Sequence, residues 1–135
     1  LHTPITLQLS GHLMKKATSG SAIWKRRFFV LKDGVLYYYA PRKDDRVLVF
    51  DFHPKGVLPL DSCSVSRVDD GPVGMERHSM AVTHPSFGKR ALVLCAPSED
   101  ELEKWLTSIE NCRYITYANA LRGSQQLARV RASEE

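Results

Sequence analysis

Between Trp24 and Leu31 the chain reads Trp-Lys-Arg-Arg-Phe-Phe-Val-Leu, three consecutive cations running into an apolar, aromatic stretch with no turn residue between them. A run this short, rich in aromatic and β-branched residues, reads as a strand entering a core. Side chains alternate along a strand, so Lys25 and Arg27 share one face while Arg26 takes the other. An unpaired charge is costly to bury, so these cations must stand at the strand's open end, within reach of water or an anion. The stretch therefore predicts a rigid strand that presents a two-pronged cationic clamp at its mouth.

The flanking sequence supplies partners for that strand. Asp33-Gly34 follows it and is a strong two-residue hairpin signal of the type I′ kind, which makes Val35–Ala40 an antiparallel neighbour. Ser10–Lys16 reads as a preceding strand, separated by the small polar loop Ala17–Ser21. Pro41 then opens a long charged stretch to Pro54, within which Val47–Phe52 is a candidate extra strand. Gly56–Leu60, Cys63–Val68, His78–Thr83 and Arg90–Cys95 read as further short strands, a spacing typical of a sandwich or barrel. The period then changes. Pro97-Ser98-Glu99-Asp100-Glu101 sets a Ser N-cap three residues before a Glu, a capping box with acids in the first turn. Leu102, Trp105, Leu106, Ile109 and Cys112 form one apolar helix face after it. The expected fold is mainly β, a seven-stranded antiparallel barrel or sandwich capped by one C-terminal amphipathic helix. Residues 1–9 read as a lead-in, 10–121 as the domain, and 122–135 as a polar tail.

A chain of 135 residues, 43% hydrophobic and 25% charged, has the composition of one globular domain rather than a disordered segment. Its apolar runs are far shorter than a membrane span. It begins at a leucine without a signal pattern, and is expected to be a piece of a larger protein. Cys63, Cys95 and Cys112 are odd in number and widely spaced, which predicts reduced thiols in the cytosol rather than disulfides or a zinc site. His12, His53, His78 and His84 lack metal-ligand spacing. No Ser-His-Asp order, paired acids or Gly-x-Gly loop is present, so no catalysis and no cofactor is expected. Charge is unevenly spread. Residues 1–60 carry ten Lys and Arg against four Asp, a net +6, whereas residues 98–121 carry two cations against five acids, a net −3. Such a dipole steers the basic half toward an anionic surface. No exposed aromatic stacking platform or groove-reading helix points to nucleic acid.

The order of elements and three local motifs together resemble the pleckstrin homology (PH) domain over about residues 10 to 117. Gly11-His12-Leu13-Met14-Lys15 is similar to that family's first strand, Trp24–Leu31 to its second, and Trp105 stands where its helix tryptophan stands. The resemblance implies a phosphoinositide headgroup site with Lys15, Lys25 and Arg27 as ligands. In members that prefer 3-phosphorylated lipids it also implies Tyr38 of strand three and Lys55 before strand four, and a strand-seven contact at about Lys89. Lys16 is expected to serve the general field, Arg42 and Lys43 of the long connection are further candidates, and Ser19 lies in a loop whose amides can approach phosphate.

A ring of phosphates needs donors converging from several strands. Arg27 can grip one bidentately, Lys15 and Lys25 act as point charges, and the Tyr38 hydroxyl adds a neutral donor. Further cations near the mouth would each add about 1 kcal/mol against an anionic leaflet. The expected function is that of a monomeric membrane-targeting module of a cytoplasmic signalling protein, recruited peripherally to phosphoinositides. The alternative is a protein-interaction module on the same fold with weak or absent lipid binding, favoured by the apolar Val47–Phe52 segment.

Overall fold

The computed structural model describes residues 8–17, 23–40, 53–114 and 121. Among them, seven strands form one antiparallel sheet: β1 (Gln8–Lys16), β2 (Trp24–Lys32), β3 (Val35–Tyr39), β4 (Gly56–Pro59), β5 (Ser64–Val68), β6 (Ser79–Thr83) and β7 (Ala91–Cys95). Their order is β4-β3-β2-β1-β7-β6-β5. A helix, α1, covers residues 99–114. The candidate strand Val47–Phe52 lies outside the described residues.

The Asp33-Gly34 turn does what its sequence predicts. Both residues have positive φ, 53° and 78°, the backbone a type I′ hairpin needs and that glycine adopts without steric cost. The hairpin sets the β2–β3 register, with Lys32 opposite Val35 and Leu31 opposite Leu36. β1 begins at Gln8, two residues before the expected Ser10, because Gln8 and Leu9 pair with Lys32 and Leu31 and Leu9 packs against the core. β1 is also the junction of the fold. It pairs with β2 along nine residues but with β7 only at Met14 and Lys15. The two halves of the sheet thus meet near the end of β1. Their apolar faces enclose one cluster that includes Leu13, Phe29, Leu31, Leu36, Met80, Val82 and Leu94.

The helix closes this cluster. The Ser98 Oγ accepts the N–H of Glu101 at 3.2 Å, the capping contact expected from the sequence. Leu102, Trp105, Ile109 and Cys112 are buried, Leu106 packs partly against the core, and Trp105 meets the Phe29 ring edge-on at 6.4 Å. Outside the sheet, Arg67 of β5 ties the helix down. Its guanidinium reaches Glu99 with N···O distances of 3.0 and 2.5 Å and also contacts Glu103. The three cysteines are buried free thiols, and burial pushes the Cys63 thiol up to about 11.

The β5–β6 connection folds back over the outer sheet surface. Ser79 is fully buried there: its hydroxyl lies 2.7 Å from the carbonyls of both Val68 and Glu76 and accepts the N–H of Asp70 at 3.1 Å. That tether brings the Asp70 carboxylate to within 3.0 Å of the Lys16 ammonium on β1.

Candidate functional site

Antiparallel register lays the inward face of the first four strands out in rows. Leu9, Leu31, Leu36 and Leu58 pair in succession across β1, β2, β3 and β4. The next row is Gly11, Phe29, Tyr38 and Gly56, then Leu13 opposite Arg27, and finally Lys15 opposite Lys25. The face thus changes from leucine to aromatic to cation in a few residues. The cations sit where β1 and β3 end and β2, β4 and β7 begin, which is the mouth. Alternation alone dictates this, because Lys25, Arg27, Phe29 and Leu31 all lie on the same side of β2. Met14 pairs with Arg26, so Arg26 belongs to the opposite face, as its position in the run predicts.

Three like charges in one corner leave an electrostatic mark. The Lys15 ammonium is held below the ordinary lysine range, first by partial burial and then by repulsion from Arg27 and Lys25. Its Nζ lies 5.6 Å from the centroid of the Tyr38 ring, within cation–π range, and 3.4 Å from the carbonyl of Lys16. The Arg27 guanidinium donates to the carbonyl of Arg26 at 3.0 Å. Among the described residues, none of the three cations pairs with a carboxylate. A group of this kind favours an anion that brings its own charge.

Beside Lys15 opens a cavity of about 380 Å³, lined by Lys15, Tyr38, Gly56, Leu58, Phe87 and Arg90, with Val57, Ala91 and Leu92 completing the wall. Gly56 is required here, because a Cβ at this position would fall inside the Tyr38 ring, which lies across the glycine. Lys25 and Arg27 are not in the lining; they flank Lys15 across the β1–β2 ladder.

The remaining candidates are dispersed. Lys55 is exposed and outside the lining, although its backbone N–H donates to the Tyr38 carbonyl at 2.8 Å. Lys16 faces away from Lys15 and is paired with Asp70. Lys89 is exposed, and it is the neighbouring Arg90 that lines the cavity. Ser19, Arg42 and Lys43 lie outside the described residues. Phe87 escaped the sequence reading because the 3-10 turn Pro85–Phe87 sets its phase. Arg90 carries a signal that the choice of Lys89 misses: alternation along a strand Arg90–Cys95 puts Arg90 on the face of Leu92 and Leu94, which are core.

A model of the PH domain family matches residues 7–114. The chain is 32% identical over 126 residues to pleckstrin homology domain-containing family D member 1 of Caenorhabditis elegans, covering 90% of this chain and 21% of that protein. It is 29% identical over 128 residues to the human family A member 6, covering 95% of this chain and 11% of that protein. The chain therefore spans about a fifth of the length of one of these relatives and about a tenth of the other. Among solved structures, the C-terminal PH domain of human pleckstrin superposes with a TM-score of 0.60 at 22% identity, over 80% of this chain and 88% of that one. A crystal structure of the same pleckstrin domain in complex with D-myo-Ins(1,2,3,4,5)P5 superposes with a TM-score of 0.59 at 23% identity, over 77% of this chain and 95% of that one.

Proposed function

The chain belongs to the PH domain family, and from that premise we propose that it is a non-catalytic membrane-targeting module whose mouth binds phosphoinositide headgroups. The observation that carries this reading is the register of β1 and β2. It sets Lys15 opposite Lys25, with Arg27 one row further in, on the core side of the sheet at its open end. Two cations facing one another across a ladder repel, and an anion between them turns that repulsion into attraction. The pleckstrin domain that shares this fold has been crystallised with an inositol pentakisphosphate, and PH domains as a family commonly bind such groups.

The headgroup ligands proposed are Lys15, Lys25, Arg27 and Tyr38, joined by Arg90 across the cavity. Lys55, Lys16 and Lys89 act at longer range by raising the potential of the mouth. A preference for 3-phosphorylated lipids is supported by Tyr38, whose side chain lines the cavity next to Lys15. Binding places the domain at the cytoplasmic leaflet as a peripheral membrane protein. The protein-interaction alternative rests on Val47–Phe52, which lies outside the described residues.

Titration with a panel of soluble inositol phosphates, followed by amide chemical shifts, tests the assignment. The expected result is a set of shifts at Lys15, Lys25, Arg27, Tyr38 and Arg90, largest for ligands bearing a 3-phosphate. Shifts confined to the helix, residues 99–114, would overturn it.

A further inference from the structure

One side of the cavity has a character that a ring of phosphates cannot use. Alongside its cations the lining includes Phe87, Leu58 and Leu92, all apolar. Within the buried cluster Leu58, 6% exposed, and Leu92, 8% exposed, are the members most open to solvent, and both are walls of this cavity. Phe87 packs partly against the same cluster and extends the apolar surface toward the rim. A phosphate pressed against such a wall loses hydration and gains no partner, whereas a hydrocarbon or ester segment gains by displacing water from it. A cavity of about 380 Å³ is of the size that holds small ligands rather than stray waters.

We propose that the mouth binds an anionic amphiphile as one unit, with its phosphate on Lys15 and Arg90 and its adjoining apolar segment against Phe87, Leu58 and Leu92. This rests on the headgroup reading above and extends it to the part of the ligand beyond the phosphates. Tyr38 marks the seam: its ring lies over Gly56 on the apolar side and under the Lys15 ammonium on the other. The same chemistry is carried by a lipid in a bilayer and by a soluble short-chain lipid. Either satisfies the site; a free headgroup satisfies half of it.

The test compares three ligands on the 135-residue chain by calorimetry and amide shifts: a soluble inositol polyphosphate, the dioctanoyl lipid with the same headgroup below its micelle concentration, and the long-chain lipid in phosphatidylcholine vesicles. The dioctanoyl lipid is expected to bind about fivefold or more tightly than the free headgroup, because even partial burial of a few methylenes is worth that much. Shifts at Phe87 and Leu92 should accompany it and be absent with the headgroup. Phe87→Ser should erase the difference, read as the ratio of dioctanoyl-lipid to headgroup affinity on the same variant. If that variant fails to fold, the wild-type ratio still decides. A further gain in vesicles assigns the site to bilayer lipid, and no further gain assigns it to the soluble amphiphile. Equal affinity for headgroup and dioctanoyl lipid, with no shift at Phe87 or Leu92, overturns this proposal and leaves the headgroup reading standing. Absence of binding in all three arms overturns both.

Discussion

Lys15 and Lys25 face each other directly across the β1–β2 ladder. A strand pair selected for stability alone would place opposite charges or apolar residues there, since like charges in that position are destabilising. The proposed function supplies the reason for the arrangement, and it implies a trade of stability for binding.

Replacing one of the pair should separate the two properties. Lys25→Thr is expected to raise unfolding free energy by about 0.5 kcal/mol, the scale of a cross-strand pair, while weakening phosphoinositide binding at least tenfold. Urea unfolding alongside lipid titration measures both. A variant that is less stable and binds normally would refute the trade.

Gly56 is coupled to Tyr38 by space alone, since a methyl group on the glycine would collide with the ring. Gly56→Ala should therefore swing Tyr38 away from Lys15, costing about 1–3 kcal/mol of stability as a local overpacking. Headgroup affinity should fall several-fold. The Lys15 side chain lies against the Tyr38 ring, so its resonances report the displacement directly, and unmoved resonances would show that the ring keeps its place beside Lys15.

On the far side of the molecule, the Arg67 guanidinium holds the Glu99 carboxyl below the ordinary glutamate range, chiefly by direct hydrogen bonds. A carboxyl whose folded-state pKa is depressed contributes stability above its unfolded value and loses it as pH falls through the folded one. Thermal melts of wild type and Arg67→Ala should therefore differ most near neutral pH and converge as pH drops below about 4. The gap should also narrow with added salt, because these groups are exposed. A difference that stays constant from pH 7 to pH 3 would mean that Arg67 acts through packing.

Much of this architecture was legible in the chain because its signals are local. Strand alternation put Lys25 and Arg27 on one face and Arg26 on the other, and the register of β1 against β2 bears this out. Asp33-Gly34 announced a hairpin, and Ser98 with the spacing of Leu102, Trp105 and Ile109 announced the helix. What stayed hidden is non-local. The Lys16–Asp70 pair joins residues 54 positions apart and depends on the Ser79 tether. Phe87 reaches the cavity through a 3-10 turn whose phase no periodicity encodes. The apolar wall likewise arises only when β4 and β7 are brought to the same opening, since Leu58 and Leu92 each read as ordinary core residues.

The proposed phosphoinositide site depends on Lys25 and Arg27 as its clamp. Co-sedimentation with phosphatidylcholine vesicles tests it most directly, using vesicles doped with a phosphoinositide or with phosphatidylserine at matched surface charge, for wild type and for Lys25→Ala/Arg27→Ala. Wild type is expected to pellet with the phosphoinositide vesicles and far less with the phosphatidylserine ones, and the double variant, still folded, to remain in the supernatant with both. Equal pelleting of wild type and double variant with phosphoinositide vesicles would contradict that assignment.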